Sequence, residues 1–365
     1  MLLKENYTAE HINELRKKTG ADPSILERTV FAFGLLEAIS KAGMPFIFKG
    51  GTSLLILLEH PKRLSTDIDI IVKPGTDIDR YISIAGTIFP FIRVEENIRK
   101  GVNNIEKRHF RFYFRSPRNE KEISILLDVV FEDNPYLMLD NKPIRSELLL
   151  FSEGDDLMVD LPDKNCILAD KLTAFAPHTT GIPFGVGKEL EIIKQMYDCW
   201  TLLQEMDNYE MARNVYRKVS ALELGYRGLK LNVSDCLKDT IDSCMCLIGR
   251  GRIKAEDYEY LSSGIDAIGG HIYNGRINGE YAVSYASELL DLASHLLTNR
   301  IDYSRIEDPK EYLDSEINIQ GSRIIKGLKN TNPLAYAYII RALGLLQENE
   351  IYTGSLLQNI IYFNL

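Results

Sequence analysis

The chain has 365 residues, a formal charge of −9, 26% charged residues and 45% hydrophobic residues, the balance of a soluble globular protein with room for two domains. No apolar run approaches the length of a membrane span and residues 1–7 lack a signal-peptide pattern, so the expected location is the cytoplasm. Five cysteines, Cys166, Cys199, Cys236, Cys244 and Cys246, are odd in number and fall mostly within helical patterns; they read as reduced thiols, not a disulfide framework.

In chain order, the pattern predicts a short helix over 8–18 and a longer one from Asp22-Pro23 to about 39, with Asp22 as cap and Pro23 in the first turn. The apolar run 45–48 reads as a buried strand that Gly50-Gly51 interrupts before a helix over 53–59. At such a turn glycine lets backbone N–H groups approach phosphate oxygens, and Thr52 or Ser53 is placed to cap the helix. A loop over 61–66 then leads to a strand near 67–73. Alternation puts Asp67 and Asp69 on one face of it, about 7 Å apart, where two carboxylates can share Mg²⁺ with substrate phosphates. Carboxylates in an otherwise apolar strand are costly unless a metal compensates them.

A helix near 77–88 and strands near 91–98, 107–115 and 122–131 complete a mixed sheet. The last strand is broken by one carboxylate, Asp128, which fits the third acid of a two-metal displacement, as metal ligand or as acceptor of the attacking hydroxyl's proton. The segment 93–118 holds eight Lys and Arg against three Glu, with aromatics interleaved. In Lys107-Arg-His-Phe-Arg-Phe-Tyr-Phe-Arg115 the alternation suits a strand with one basic face, either tracking a phosphate backbone or simply solvated.

Helices are predicted over 162–176 and 188–204, joined by a glycine-rich connection over 179–187 that matches no phosphate-loop spacing. Lys171 on the first helix could neutralise triphosphate oxygens. On the second, Lys194 and Asp198 are i,i+4 neighbours, the spacing of a surface ion pair; turned toward a site, Asp198 could orient Lys171 or a nucleotide. Beyond about residue 208 the pattern is almost entirely helical, with a loop marked by Gly264, Gly269, Gly270 and Gly275. The six histidines show no metal spacing, and Cys244-Met-Cys246 lacks further ligands for zinc. The fold class is therefore α+β, a mixed sheet flanked by helices over 1–205 (leading helices 8–42) followed by a mostly helical domain over 206–365.

Lys49-Gly-Gly-Thr-Ser-Leu54 followed by Arg63-Leu-Ser-Thr-Asp-Ile-Asp69 resembles the first motif of the AbiEii/AbiGii toxin family of nucleotidyltransferases, a branch of the DNA polymerase beta-like superfamily. That motif reads K-G-G-T-x-L, then R-x-S-x-D-x-D, and each fixed letter is present. Later motifs have weaker counterparts in Asp128, Lys171-Leu-Thr-Ala174 and Asp198, so the resemblance covers about 30–205. It implies a Mg²⁺-dependent enzyme that transfers a nucleotide from a nucleoside triphosphate to an acceptor hydroxyl, with transfer RNA ends the best-known acceptor. It also implies a toxin of a toxin–antitoxin or phage-defence system with a cognate antitoxin. On this likeness Gly50, Gly51, Thr52, Ser53, Arg63 and Ser65 bind nucleotide, Asp67, Asp69 and Asp128 hold metal, and Lys171 and Asp198 join the aspartates in catalysis.

Two other classes share parts of this pattern. A small-molecule nucleotidyltransferase of the aminoglycoside-modifying kind has the same Gly and D-x-D logic and favours an acidic acceptor pocket, in keeping with the net charge. A non-catalytic nucleotide-binding scaffold would keep the fold without turnover, although such decay usually removes metal ligands first.

Overall fold

A computed structural model of the chain describes residues 1–98, 105–253, 255–315 and 323–351. Arg99 and Lys100, part of the expected basic segment, lie outside the described residues. Two compact units emerge: residues 1–167 with 270–275, and residues 168–269 with 276 onward.

The first unit is built on a mixed seven-stranded sheet of order β3-β4-β5-β2-β1-β7-β6. Its strands are β1 (Ile47–Lys49), β2 (Ile68–Val72), β3 (Arg93–Glu96), β4 (Lys107–Arg115), β5 (Glu122–Phe131), β6 (Leu139–Pro143) and β7 (Met158–Pro162). The pairs β2–β5 and β1–β7 are parallel and the others antiparallel. Alternation sorts the residues. Ile68, Ile70 and Val72 of β2, Leu127 and Val129 of β5, and Phe110, Phe112 and Phe114 of β4 are buried on one face.

That face receives α2 (Pro23–Lys41), which packs on β2 and β5. Its N-terminus is set as the sequence predicts: the Asp22 carboxylate accepts from the N–H groups of Ser24 and Ile25, with Pro23 in the first turn. Phe31 of this helix stacks on Phe114 with ring centroids 3.6 Å apart. Helices α1 (Ala9–Thr19) and α4 (Asp79–Ala85) pack against α2, and α3 (Gly50–Leu57) follows β1 directly.

Strands β6 and β7 are absent from the sequence reading. Leu139-Asp-Asn-Lys-Pro143 has no apolar alternation because it is an edge strand, where charge and proline guard an open ladder. It is held as a strand by β7, whose buried Val159 and Leu161 supply the apolar face.

Helix α5 (Lys164–Ala174) carries the chain into the second unit, which is helical as expected: α6 (Glu189–Glu205), α7 (Tyr209–Arg227), α8 (Val233–Gly249), α9 (Ala255–Ala267), α10 (Gly279–Leu297), α11 (Arg323–Thr331) and α12 (Pro333–Glu348). Helix α10 is its centre and packs on α6, α8 and α12. The buried Asp291 of α10 is clasped by Arg341 of α12 through two charge-assisted hydrogen bonds of 2.9 and 2.5 Å. All five cysteines are buried and free. No described helix is long and apolar enough to cross a membrane.

The loop expected around Gly264 is a correction. Gly264 lies inside α9, where a side chain would meet the carbonyl oxygen of Glu189 at 2.4 Å and Ile193 Cγ1 at 2.6 Å. The glycine is there so that α9 can press onto α6, a packing reason invisible to a turn-based reading. Backbone cannot swing aside as a flexible side chain can, so Gly264→Ala is expected to cost about 1–3 kcal/mol, read as a lowered midpoint in chemical denaturation with an unchanged slope. Residues 270–275 return to the first unit: the N–H of Leu64 donates to the His271 carbonyl (2.7 Å), and Arg63 and Ile272 form an isolated antiparallel bridge.

Candidate active site

Strand β1 ends at Lys49, and Gly50 takes a left-handed conformation (φ +83°) that turns the chain at once into α3. Two reasons require glycine here. A β-carbon at Gly50 would sit 2.0 Å from Asp69 Oδ2, and one at Gly51 would sit 2.7 Å from Ser65 Oγ and 2.8 Å from Arg63 Nη2. The Gly-Gly pair is thus the floor on which Asp69, Ser65 and Arg63 rest, and the residues of the two motif halves come together in space.

The hydroxyls behave otherwise than the sequence suggests. The residue at the N-terminal cap of α3 is Lys49, with no side-chain cap bond. Thr52 and Ser53 are fully buried; Thr52 Oγ1 donates to the Asp67 carbonyl (2.5 Å) and Ser53 Oγ to the Gly50 carbonyl (2.9 Å). Thr52 thus ties α3 to the residue before β2, and Ser53 closes the first turn of α3 on itself. What remains for an anion is the backbone at the start of α3 with its partial positive charge. Arg63 is buried and donates to the Leu64 carbonyl at 3.0 Å, while Thr29 of α2 anchors the neighbouring loop by donating to the Ser65 carbonyl (2.9 Å).

The carboxylates are set by strand register. Asp67 immediately precedes β2 and is exposed; Asp69 lies within it, half-buried. Asp69 is the in-register neighbour of Lys49 on β1 and of Asp128 on β5, and Asp128 is that of His109 on β4. A row Lys49–Asp69–Asp128–His109 therefore crosses four strands on the face opposite the phenylalanines. His109 Nδ1 lies 2.6 Å from Asp128 Oδ1.

Adjacent in-register carboxylates repel one another, which a shared cation relieves. Among the described residues no three His, Cys, Asp or Glu side chains converge as a metal-holding group. The donor set nevertheless suits a hard cation, because Mg²⁺ is commonly bound by one or two carboxylates and completed by substrate phosphates, not by a closed protein cage.

Strand β4 separates its charges as alternation requires. Lys107, Arg111 and Arg115 are exposed on the face of His109, whereas Arg108 points the other way and pairs with Glu96 and Asp79, both at 2.8 Å. On β3, Arg93 lies over the ring of Tyr113 and pairs with Glu95 and Glu122.

In the second unit, Lys171 of α5 and Asp198 of α6 form an ion pair at 3.1 Å, the lysine 6% and the aspartate 1% exposed. Lys194, four residues before Asp198, pairs with Glu191 at 3.0 Å, an i,i+3 pair. His178 is half-exposed and pairs with Asp257 at 3.0 Å. Truncating one member of a buried pair strands the other charge. Lys171→Ala or Asp198→Ala is therefore expected to lose roughly 3–5 kcal/mol, while Lys171→Met combined with Asp198→Leu restores most of that in a denaturation series.

Sequence reasoning missed His109. The available signal was its odd position in the β4 run, which puts it on the basic face; the partner across the ladder was not legible.

A glycine turn opening a helix beside in-register carboxylates is the candidate site of this chain. The chain belongs to the family of the nucleotidyl transferase AbiEii toxin of type IV toxin–antitoxin systems, whose model matches residues 34–252. It is thus a nucleotidyltransferase, and membership implies a nucleoside triphosphate substrate and an antitoxin partner. Among solved structures it is similar to JHP933 from Helicobacter pylori (16% identity, TM-score 0.41, 75% of this chain and 93% of that one). It is also similar to a candidate nucleotidyltransferase from H. pylori (16% identity, TM-score 0.42, 76% and 99%). No curated protein matches the chain significantly.

Proposed function

We propose that this toxin is a Mg²⁺-dependent enzyme that transfers a nucleoside monophosphate to a hydroxyl of transfer RNA, as part of a toxin–antitoxin or phage-defence system in the cytoplasm. The observation that supports it most is the in-register pair Asp69 and Asp128 beside the Gly50 turn. Asp67, Asp69 and Asp128 would hold the cation. Held by these residues, Mg²⁺ would supply neutralising positive charge for the triphosphate.

The chain's own groups do the rest. Gly50 and Gly51 let the backbone at the start of α3 approach the β- and γ-phosphates, Thr52 and Ser53 hold that turn in shape, and Arg63 and Ser65 flank it. Asp128 draws the proton from the acceptor hydroxyl, whose oxygen forms the new bond to the α-phosphorus as the bond to pyrophosphate breaks. Lys171 and Asp198 fall inside the same family match and are proposed to serve the same reaction, Lys171 by neutralising the leaving group and Asp198 by orienting Lys171. The catalytic module is proposed as 1–205, and the helical remainder as the part that shapes acceptor binding or docks the antitoxin. Lys107, Arg111 and Arg115, exposed on the face that also carries Asp128, favour a nucleic-acid acceptor.

The test is incubation with Mg²⁺, each α-labelled nucleoside triphosphate in turn and total bacterial RNA, with an Asp67→Asn control. Label entering a transfer-RNA band and lost in the control is the expected result. Label on an aminoglycoside offered in a parallel reaction, but not on RNA, would replace this reading with a small-molecule transferase, and nucleotide binding without transfer to either acceptor would leave a scaffold.

A further inference from the structure

We propose that His109 is a positioning residue for nucleotidyl transfer, holding the Asp128 carboxylate in the orientation that binds the cation; this rests on the site reading above. The two residues are directly opposed on β4 and β5, and Nδ1 is 2.6 Å from Oδ1. An ionised carboxylate only accepts hydrogen bonds, so the proton of this contact belongs to Nδ1. The bond is charge-assisted and short, and it is only partly open to water, the two side chains being 16% and 26% exposed.

Its place in the row explains the need for it. Asp69 lies on the other side of Asp128, one strand away, and its like charge works against holding the Asp128 carboxylate close to it. His109 pulls from the opposite flank and takes one oxygen. The second oxygen is then left free of His109 for the work proposed for Asp128 above. The histidine is itself fixed, since its carbonyl accepts from the N–H of Asn97 (2.7 Å) and its strand is laddered to β5 from Lys107 to Arg115. A donor that orients a ligating carboxylate from behind is the usual partner of a metal ligand, and its loss costs about 10–100-fold in metal affinity or activity.

The experiment compares full-length wild type, His109→Leu and His109→Asn. Transfer is measured at varied nucleoside triphosphate, and Mn²⁺ binding is measured separately by electron paramagnetic resonance. The asparagine amide reaches the place of Nδ1 and keeps a donor there. Expected for His109→Leu is a loss of about 10–100-fold in kcat with KM for the nucleotide within about threefold, together with weaker Mn²⁺ binding. His109→Asn is expected to recover most of both. If the leucine variant does not fold, His109→Gln replaces it, since its amide reaches only the Nε2 position and should not rescue.

Unchanged kcat and Mn²⁺ affinity in His109→Leu overturns the inference, as does equal loss in the leucine and asparagine variants. Should wild type transfer to no acceptor at all, the reading of the reaction falls. The Mn²⁺ titration then decides alone: loss in the leucine variant with recovery in asparagine sustains the role, and no loss ends it.

Discussion

Asp69→Asn is expected to lower nucleotidyl transfer by about a thousandfold or more while leaving the protein folded, since the amide keeps the shape but not the charge that a cation requires. The stability side of the prediction is specific to this register. Asp69 faces Asp128 across a parallel ladder, so neutralising it removes a like-charge repulsion, and the isosteric amide keeps an oxygen that can accept from its other neighbours. The thermal midpoint should therefore stay level or rise. An inactive variant with a sharply lower midpoint would show that Asp69 is a structural residue, and an active variant would remove it from the cation site altogether.

Gly50→Ala is expected to fail in both respects. The position has φ +83°, which L side chains rarely adopt, and the new β-carbon would lie 2.0 Å from Asp69 Oδ2, 2.7 Å from its Cγ and 2.9 Å from its Cβ. The first effect alone destabilises, and the overlap adds to it; together about 1–4 kcal/mol is expected from strain and overpacking. Transfer should be lost because relief comes only by moving Asp69 or by unwinding the first turn of α3. A useful comparison is Gly20→Ala: its φ is +72° but nothing lies within 4 Å, so strain without overlap is expected to lower stability while leaving transfer intact. Equal loss of activity in both variants would mean that the Gly50 effect is general unfolding and not displacement of Asp69.

Much of the site was legible because its parts are local. Gly50-Gly51 breaks an apolar strand ahead of a helix, so the turn follows from spacing alone, whereas the strand expected from 67 begins at Ile68 and leaves Asp67 just before it. The strands 107–115 and 122–131 were read at the same limits the structure gives them, because the first alternates aromatic with basic residues and the second is an apolar run broken by one carboxylate. The edge strand β6 was not, since its polar sequence is held by its neighbour and not by any preference of its own.

The hydroxyls of Thr52 and Ser53 illustrate a different limit. Both residue types are good helix caps, but which acceptor a hydroxyl finds depends on what the fold brings within 3 Å. Here a carbonyl fifteen residues away competes successfully for Thr52. Lys171 and Asp198 show the same thing over 27 residues: each was visible in a helical pattern, yet only the tertiary fold decided that these two residues meet.

By itself, then, the sequence determined the glycine turn, the order of elements apart from β6 and β7, and the strand face of Asp69, because each depends on backbone preferences within a few residues. Tertiary structure alone decided that Asp128 stands beside Asp69, that His109 stands beside Asp128, and that Gly50 must be glycine for the sake of Asp69. Those are pairings between strands and across turns, chosen by how a whole sheet buries its phenylalanines and isoleucines, and no local pattern encodes which strand will lie next to which.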